Sequence, residues 1–129
     1  MTQNEMTHTP YTMAQAWQLV WDTEMAQKKR AYNEIGRCQC RTWEGHRCYI
    51  GALIPDEIYS KEMEGQLVQD DTAGLSDGCP TLARLWSRLD LGILSLLMGI
   101  HDDKDLDHEG RLARLIKIRP RFVEDDAKA

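Results

Sequence analysis

The run LGILSLLMGI, at 91–100, constrains this chain more than any other stretch. Read back to Cys79-Pro80-Thr81, where proline suits a first helical turn, it continues a stripe at helical spacing. That stripe is Leu82, Leu85, Trp86, Leu89, Ile93, Leu96, Leu97 and Ile100, and it predicts one helix over 81–100. Leu91, Leu94 and Met98 make its second half apolar on the other faces too. A helix apolar nearly all round sits at the centre of a domain or is covered by a second subunit. A homo-oligomer through helix 81–100 is therefore an expectation. At ten residues the run falls far short of the ~20 that span a bilayer, so no membrane role is expected.

Two further helices frame this one. Thr9-Pro10 or Thr12 can open the first, which carries Met13, Trp17, Val20, Trp21 and Met25 at helical spacing, with Tyr32 continuing the stripe. Lys28, Lys29 and Arg30 complement the dipole at its C-terminal end, and Asn33 or Gly36 can stop it. Asp107 is placed to cap a last helix through Leu112, Leu115 and Ile116, which Pro120 is expected to end.

Between the first two helices, residues 37–50 read as a β-hairpin around Glu44-Gly45. A three-residue loop with Gly45 left-handed sets Cys40 opposite Cys48 and Thr42 opposite His46. The competing reading starts a short helix at Cys48 and runs it to Leu53. Pro55-Asp56-Glu57 opens a turn or short helix ending near Gly65, and 66–78, acidic and glycine-containing, reads as a connecting loop. The expected architecture is a single α+β domain: three main helices with a small hairpin and a Pro-Asp turn packed on them.

At 129 residues and 42% hydrophobic, the chain has material for one domain with its own core. Residues 10–120 are assigned to it, with 1–9 a flexible arm and 121–129 a charged tail. A formal charge of −5 argues against general nucleic-acid binding. The cluster Lys28, Lys29, Arg30, Arg37, Arg41 and Arg47 reads as a solvated face. The polar start MTQNEMTHTP carries no signal-peptide run, and four cysteines then suit a reducing compartment. A cytoplasmic protein is expected.

Three chemistries compete for the cysteine-rich segment. Cys38, Cys40, His46 and Cys48 are ligand types for zinc, and one hairpin register puts all four on one face. Ligands two apart on a strand nevertheless start nearly ~7 Å apart along it, which fits a tetrahedral site poorly. Alternatively Cys48 is a nucleophile served by His46 or by His101, with Asp102 orienting the imidazole. The plainer reading is a set of buried thiols. Asp56-Glu57, Asp70-Asp71 and Asp102-Asp103 are paired carboxylates whose simplest roles are caps and solvated loops. Asp102, Asp103 and Asp105 lack the glycine and terminal glutamate of a calcium loop. No phosphate-binding loop, dinucleotide fingerprint or serine nucleophile elbow is present.

The stretch CQCRTWEGHRCYIGALIPDEIYSKEMEG resembles the pattern C-x-Y-R-x-x-x-G-x-x-C-x-x-G-x-L-I-P-D-x-x-Y followed by E-G, seen in a family of small tailed-bacteriophage and prophage proteins. Matching positions are Cys38, Arg41, Gly45, Cys48, Gly51, Leu53, Ile54, Pro55, Asp56, Tyr59, Glu64 and Gly65, with Ile100-His101-Asp102 similar downstream. Cys40 stands where the pattern has an aromatic, and His46 is not a pattern position. The resemblance implies a phage origin and two structural thiols, Cys38 and Cys48, in the core, not a mechanism.

The expected function is accessory and non-enzymatic: binding and modulating or inhibiting a host or defence-system macromolecule, in the cytoplasm of an infected or lysogenic bacterium. Arg41, Arg47, Tyr59, Asp56 and Glu64 are the expected contact residues. One alternative is a protein that sequesters a nucleotide-like small molecule at Arg41, Arg47 and Tyr59, since guanidinium and aromatic groups suit phosphates and bases. The other is an enzyme dependent on zinc or on Cys48.

Overall fold

The computed structural model describes residues 9–29, 31–32, 41–42, 45–61, 63–64 and 79–128, of which 91 and 124–128 by backbone alone. Residues 1–8 of the expected arm, Arg30, Arg37, Cys38, Cys40, Gly65 and the acidic loop 66–78 lie outside the described residues. Those described are mostly helical: α1 (Met13–Gln27), a 3-10 turn (Gly51–Leu53), α2 (Pro80–Leu85), α3 (Leu91–Asp102) and α4 (His108–Lys128). No helix among them is long and apolar enough to cross a membrane.

Helix α1 starts where its hydroxyl predicts. The Thr12 side chain accepts from the Gln15 amide at 3.1 Å, and Gln15 Oε1 accepts from the Thr12 amide at 2.9 Å. This reciprocal box satisfies two amides that a helix start leaves free. The helix stops earlier than Asn33 or Gly36, at Lys28, whose φ of 61° is left-handed without glycine's freedom. Met13, Trp17 and Val20 are buried as expected, but Met25 is exposed and Trp21 half-buried. Glu24 takes the buried position that continues the stripe.

The single helix expected over 81–100 is two. Pro80 opens α2 as its first residue, but the helix ends at Leu85. Asp90 then starts a new one, its side chain accepting from the amides of Gly92 at 2.8 Å and Ile93 at 3.3 Å. An aspartate that binds free amides favours a helix start over a helix interior. Around the break, the Trp86 indole donates to the Leu53 carbonyl at 3.0 Å, and the Tyr11 amide donates to the Leu85 carbonyl at 2.9 Å. Ile93, Leu94, Leu97, Met98 and Ile100 are buried within the one chain, while Gly92, Ser95 and Gly99 form the exposed edge of α3.

Asp107 caps α4 through the Gly110 amide at 2.8 Å. Pro120 does not end this helix: it lies inside it, and the expected tail at 121–129 is helical through Lys128. Proline removes the hydrogen bond to the carbonyl four residues earlier, here that of Ile116. Both residues are on the solvent side, where water replaces the bond. Helices α1 and α4 run antiparallel. The Trp17 indole donates to the Leu115 carbonyl at 2.8 Å, and Leu115 and Phe122 are buried against this seam.

The small β-hairpin at 37–50 is not supported: no strand is present among the described residues. What remains is one antiparallel bridge, Arg41 with Arg47, around a tight turn. The Thr42 amide donates to the His46 carbonyl and the Gly45 amide to the Thr42 carbonyl, each at 2.9 Å, and Gly45 has φ 90°. Immediately after, Cys48, Tyr49 and Ile50 turn into the 3-10 segment, with the Ala52 amide donating to the Cys48 carbonyl at 2.9 Å. This segment carries Cys48, Ile50, Leu53 and Ile54 into the core at 0% exposure.

Candidate functional site

The five residues expected to make contacts converge. The Pro55 carbonyl accepts from the amides of Ile58 and Tyr59, each at 3.0 Å, and this turn raises Asp56 to the surface with its side chain 70% exposed. Arg41 Nη1 donates to Asp56 Oδ1, and Arg47 Nη2 donates to the same oxygen at 2.9 Å. Arg41 Nη2 also donates to the Ile54 carbonyl at 2.5 Å, and its guanidinium lies 4.6 Å from the centre of the Tyr59 ring. The Tyr59 hydroxyl donates to Glu64 Oε2 at 2.5 Å, and the same oxygen accepts from the Arg41 amide at 3.2 Å. Arg47 is held through its backbone, which exchanges two hydrogen bonds with the Gln27 side chain of α1.

All of these contacts are made within the one chain. Hydrogen bonding from Arg41, then the charges of Arg41 and Arg47, hold the Asp56 carboxyl below the usual carboxylate range. An exposed ion pair of this kind adds little to stability. Its effect is to fix two guanidinium groups and a carboxylate in one geometry. Arg41 Nε is buried without a hydrogen-bond partner among the described residues.

The catalytic candidates are brought together only in part. His101 is buried, with Nε2 accepting from the Ala31 amide at 3.2 Å and Nδ1 at 2.7 Å from Asp102 Oδ1. An imidazole that accepts at one nitrogen and donates from the other has no lone pair left for a substrate proton. The Tyr32 hydroxyl donates to the same Asp102 oxygen at 3.2 Å. Cys48 is 0% exposed, and its sulfur accepts from the Gly51 amide at 3.2 Å. A nucleophile must reach its substrate, and this thiol faces packing. His46 is half-buried in the turn, where its amide donates to the Thr42 hydroxyl at 3.1 Å. Cys38 and Cys40, half of the zinc set, lie outside the described residues, among which no three His, Cys, Asp or Glu side chains are grouped to hold a metal.

The most connected polar group was not among the sequence candidates. Glu24, 1% exposed, accepts at Oε1 from the Tyr49 hydroxyl at 2.5 Å and from Arg111 Nε at 2.7 Å. Its Oε2 accepts from Arg111 Nη2 at 3.2 Å and from His108 Nδ1 at 2.7 Å. Burial is the largest single influence on Glu24 and pushes its pKa up. The hydrogen bonds from Arg111, Tyr49 and His108 together outweigh it and hold the carboxyl below its ordinary value. Burial first, then the Glu24 carboxylate, drives the Tyr49 phenol well above its usual range. Arg111 also donates to the carbonyls of Lys28 at 3.2 Å and Leu106 at 3.0 Å, so it clasps the left-handed end of α1 against the start of α4. The Tyr49 ring meets His101 edge-on with centroids 5.0 Å apart, joining this cluster to His101 and Asp102. The sequence signal was a glutamate on the apolar stripe of α1 facing an arginine on that of α4.

The chain matches no protein-family model, no curated protein and no solved structure.

Proposed function

We propose that this protein works by binding rather than by catalysis: a phage-type accessory protein that engages and modulates a host or defence-system protein. One observation carries the reading, the surface array of Arg41, Arg47, Asp56, Tyr59 and Glu64. Pre-ordered arginine and tyrosine side chains favour tight contact because little rotamer freedom is left to lose on binding. The non-catalytic part rests on His101 and Cys48, whose reactive atoms are engaged in packing. The phage assignment rests on the sequence resemblance at 38–65. The test is affinity capture from bacterial host lysate with the protein and with Asp56→Ser, after thermal melts confirm that both are folded. The expected result is a discrete protein retained by the parent and lost with the variant. Recovery of nothing above background, or of the same proteins with both baits, would overturn the proposal.

A second reading is favoured by the convergence of two guanidinium groups on a single carboxylate oxygen. A phosphate of a nucleotide-like molecule could take the place of the Asp56 carboxylate, with Arg41 already stacked on Tyr59. A ligand that binds only the folded state raises the melting temperature, so a thermal-shift screen with cyclic and linear nucleotides decides it. A shift abolished by Arg47→Ala supports this reading, and no shift at millimolar nucleotide removes it.

A further inference from the structure

Arg41 and Arg47 face each other across the one antiparallel bridge of the 41–47 turn. The bond that closes this bridge runs one residue further in, from the Thr42 amide to the His46 carbonyl. Arg41 and Arg47 are therefore a non-hydrogen-bonded pair, whose own amides and carbonyls point outward from the turn. Side chains stand closest at such a pair, and like charges directly opposite one another repel. Asp56 draws both guanidinium groups to one oxygen, but an ion pair this exposed adds little energy. Each arginine needs a second hold.

Arg41 has its second hold on the side chain, through the Ile54 carbonyl and the Tyr59 ring. Arg47 has its own on the backbone. Gln27 Nε2 donates to the Arg47 carbonyl at 2.8 Å, and Gln27 Oε1 accepts from the Arg47 amide at 2.5 Å. A primary amide carries the donor and the acceptor that a peptide group carries, so Gln27 fills the place of a neighbouring strand. Two bonds to one residue fix its rotation as well as its position, and so the direction in which the Arg47 side chain leaves the turn. Gln27 itself stands on a fixed base. It is the last residue of α1, where the Lys28 amide donates to the Glu24 carbonyl at 2.8 Å. Arg111 grips the same turn through both Glu24 carboxylate oxygens and the Lys28 carbonyl.

We propose that Gln27 is a positioning residue of the contact array: its amide sets the Arg47 backbone so that the Arg47 guanidinium meets the Asp56 carboxylate and stands beside Arg41. The part Gln27 plays in recognition rests on the array being the contact surface. Its hold on Arg47 is a property of the free protein and is measured there.

The experiment takes the full chain with 15N-labelled arginine and follows the Nε–Hε signals by NMR. Arg47→Ala identifies the Arg47 signal, and Asp56→Ser shows where that signal lies without its carboxylate. Gln27→Met and Gln27→Ala both remove the two hydrogen bonds, the first keeping the length of the side chain. In either variant the Arg47 signal should move toward its Asp56→Ser position while the signal of buried Arg111 stays in place. An unmoved Arg47 signal would overturn the proposal. So would an equal movement of Arg111, which marks a loosened fold rather than a hold on one residue. In capture from host lysate, Gln27→Met should retain less of the protein that the parent retains, and Gln27→Met/Arg47→Ala no less than Arg47→Ala. A further loss in that double variant would overturn the positioning role, because Gln27 would then act other than through Arg47. If the parent captures nothing, the array falls as a contact surface, and the arginine spectra still decide what Gln27 does.

Discussion

Replacing Arg111 by methionine tests whether one buried ion pair fastens α4 to α1. In the folded protein this guanidinium is 4% exposed and makes four hydrogen bonds, to Glu24 Oε1, Glu24 Oε2, the Lys28 carbonyl and the Leu106 carbonyl. Methionine keeps the bulk and removes them all, leaving Glu24 buried with only Tyr49 and His108 as donors. Stranding a buried charge in this way costs about 3–5 kcal/mol. For a domain of this size each kcal/mol lowers Tm by roughly 3–5 °C, so the expected fall is on the order of 10–20 °C. The double variant Glu24→Met/Arg111→Met removes the stranded charge as well. Arg111→Met already frees the carbonyls of Lys28 and Leu106; the double variant also frees His108, which is half-buried, and the buried Tyr49 hydroxyl, at about 1–3 kcal/mol for that hydroxyl left unsatisfied. It should therefore be more stable than Arg111→Met while remaining below the parent. Urea denaturation of the four proteins at pH 7 closes the cycle. A loss under about 1 kcal/mol for Arg111→Met, or a double variant as unstable as the two singles summed, would refute the reasoning.

Other consequences follow from the same contacts. Glu24 titrates below its ordinary value of about 4.3, so the stability it contributes is intact above that pH and drains as pH falls through the folded value. Acid unfolding monitored by circular dichroism should show this loss, and Glu24→Gln should flatten that part of the profile. Tyr49 runs the other way: its raised value keeps the phenol neutral in the fold while the unfolded chain ionises near pH ~10. Stability should fall above that pH, and the tyrosinate absorbance of Tyr49 should emerge only with unfolding. At Gly45, φ is 90° and an added Cβ meets no atom within 4 Å, so Gly45→Ala pays only for the backbone. A loss of about 1–2 kcal/mol is expected by urea denaturation, and a larger one would contradict the open turn.

Much of this organisation could be read from the chain. Thr12, Pro80 and Asp107 announce helix starts through their own chemistry, and all three starts are where those residues put them. Asp90 carries the same kind of signal, but the apolar stripe runs unbroken through it, so periodicity hid the break that its carboxylate makes. Pro120 misled in the opposite sense, because the penalty for proline in a helix falls where the freed carbonyl cannot find water, and Ile116 is exposed. Arg41, Arg47, Asp56, Tyr59 and Glu64 converge because they are close in sequence and joined by tight turns, which is what made their grouping legible. The Glu24–Arg111 pair spans 87 positions, and spacing within either helix says nothing about the charge on the other. Once the two stripes are laid antiparallel, a glutamate and an arginine on facing apolar edges require each other.

Site-specific photocrosslinking tests the binding claim most directly. A photoreactive amino acid at exposed Glu57, beside Asp56, is compared in host cells with one at exposed Ala83 on α2. The account predicts a discrete heavier adduct with a single host protein from position 57, none from position 83, and loss of the adduct when Asp56→Ser is added. No adduct from position 57, or the same adduct from both positions, would contradict it.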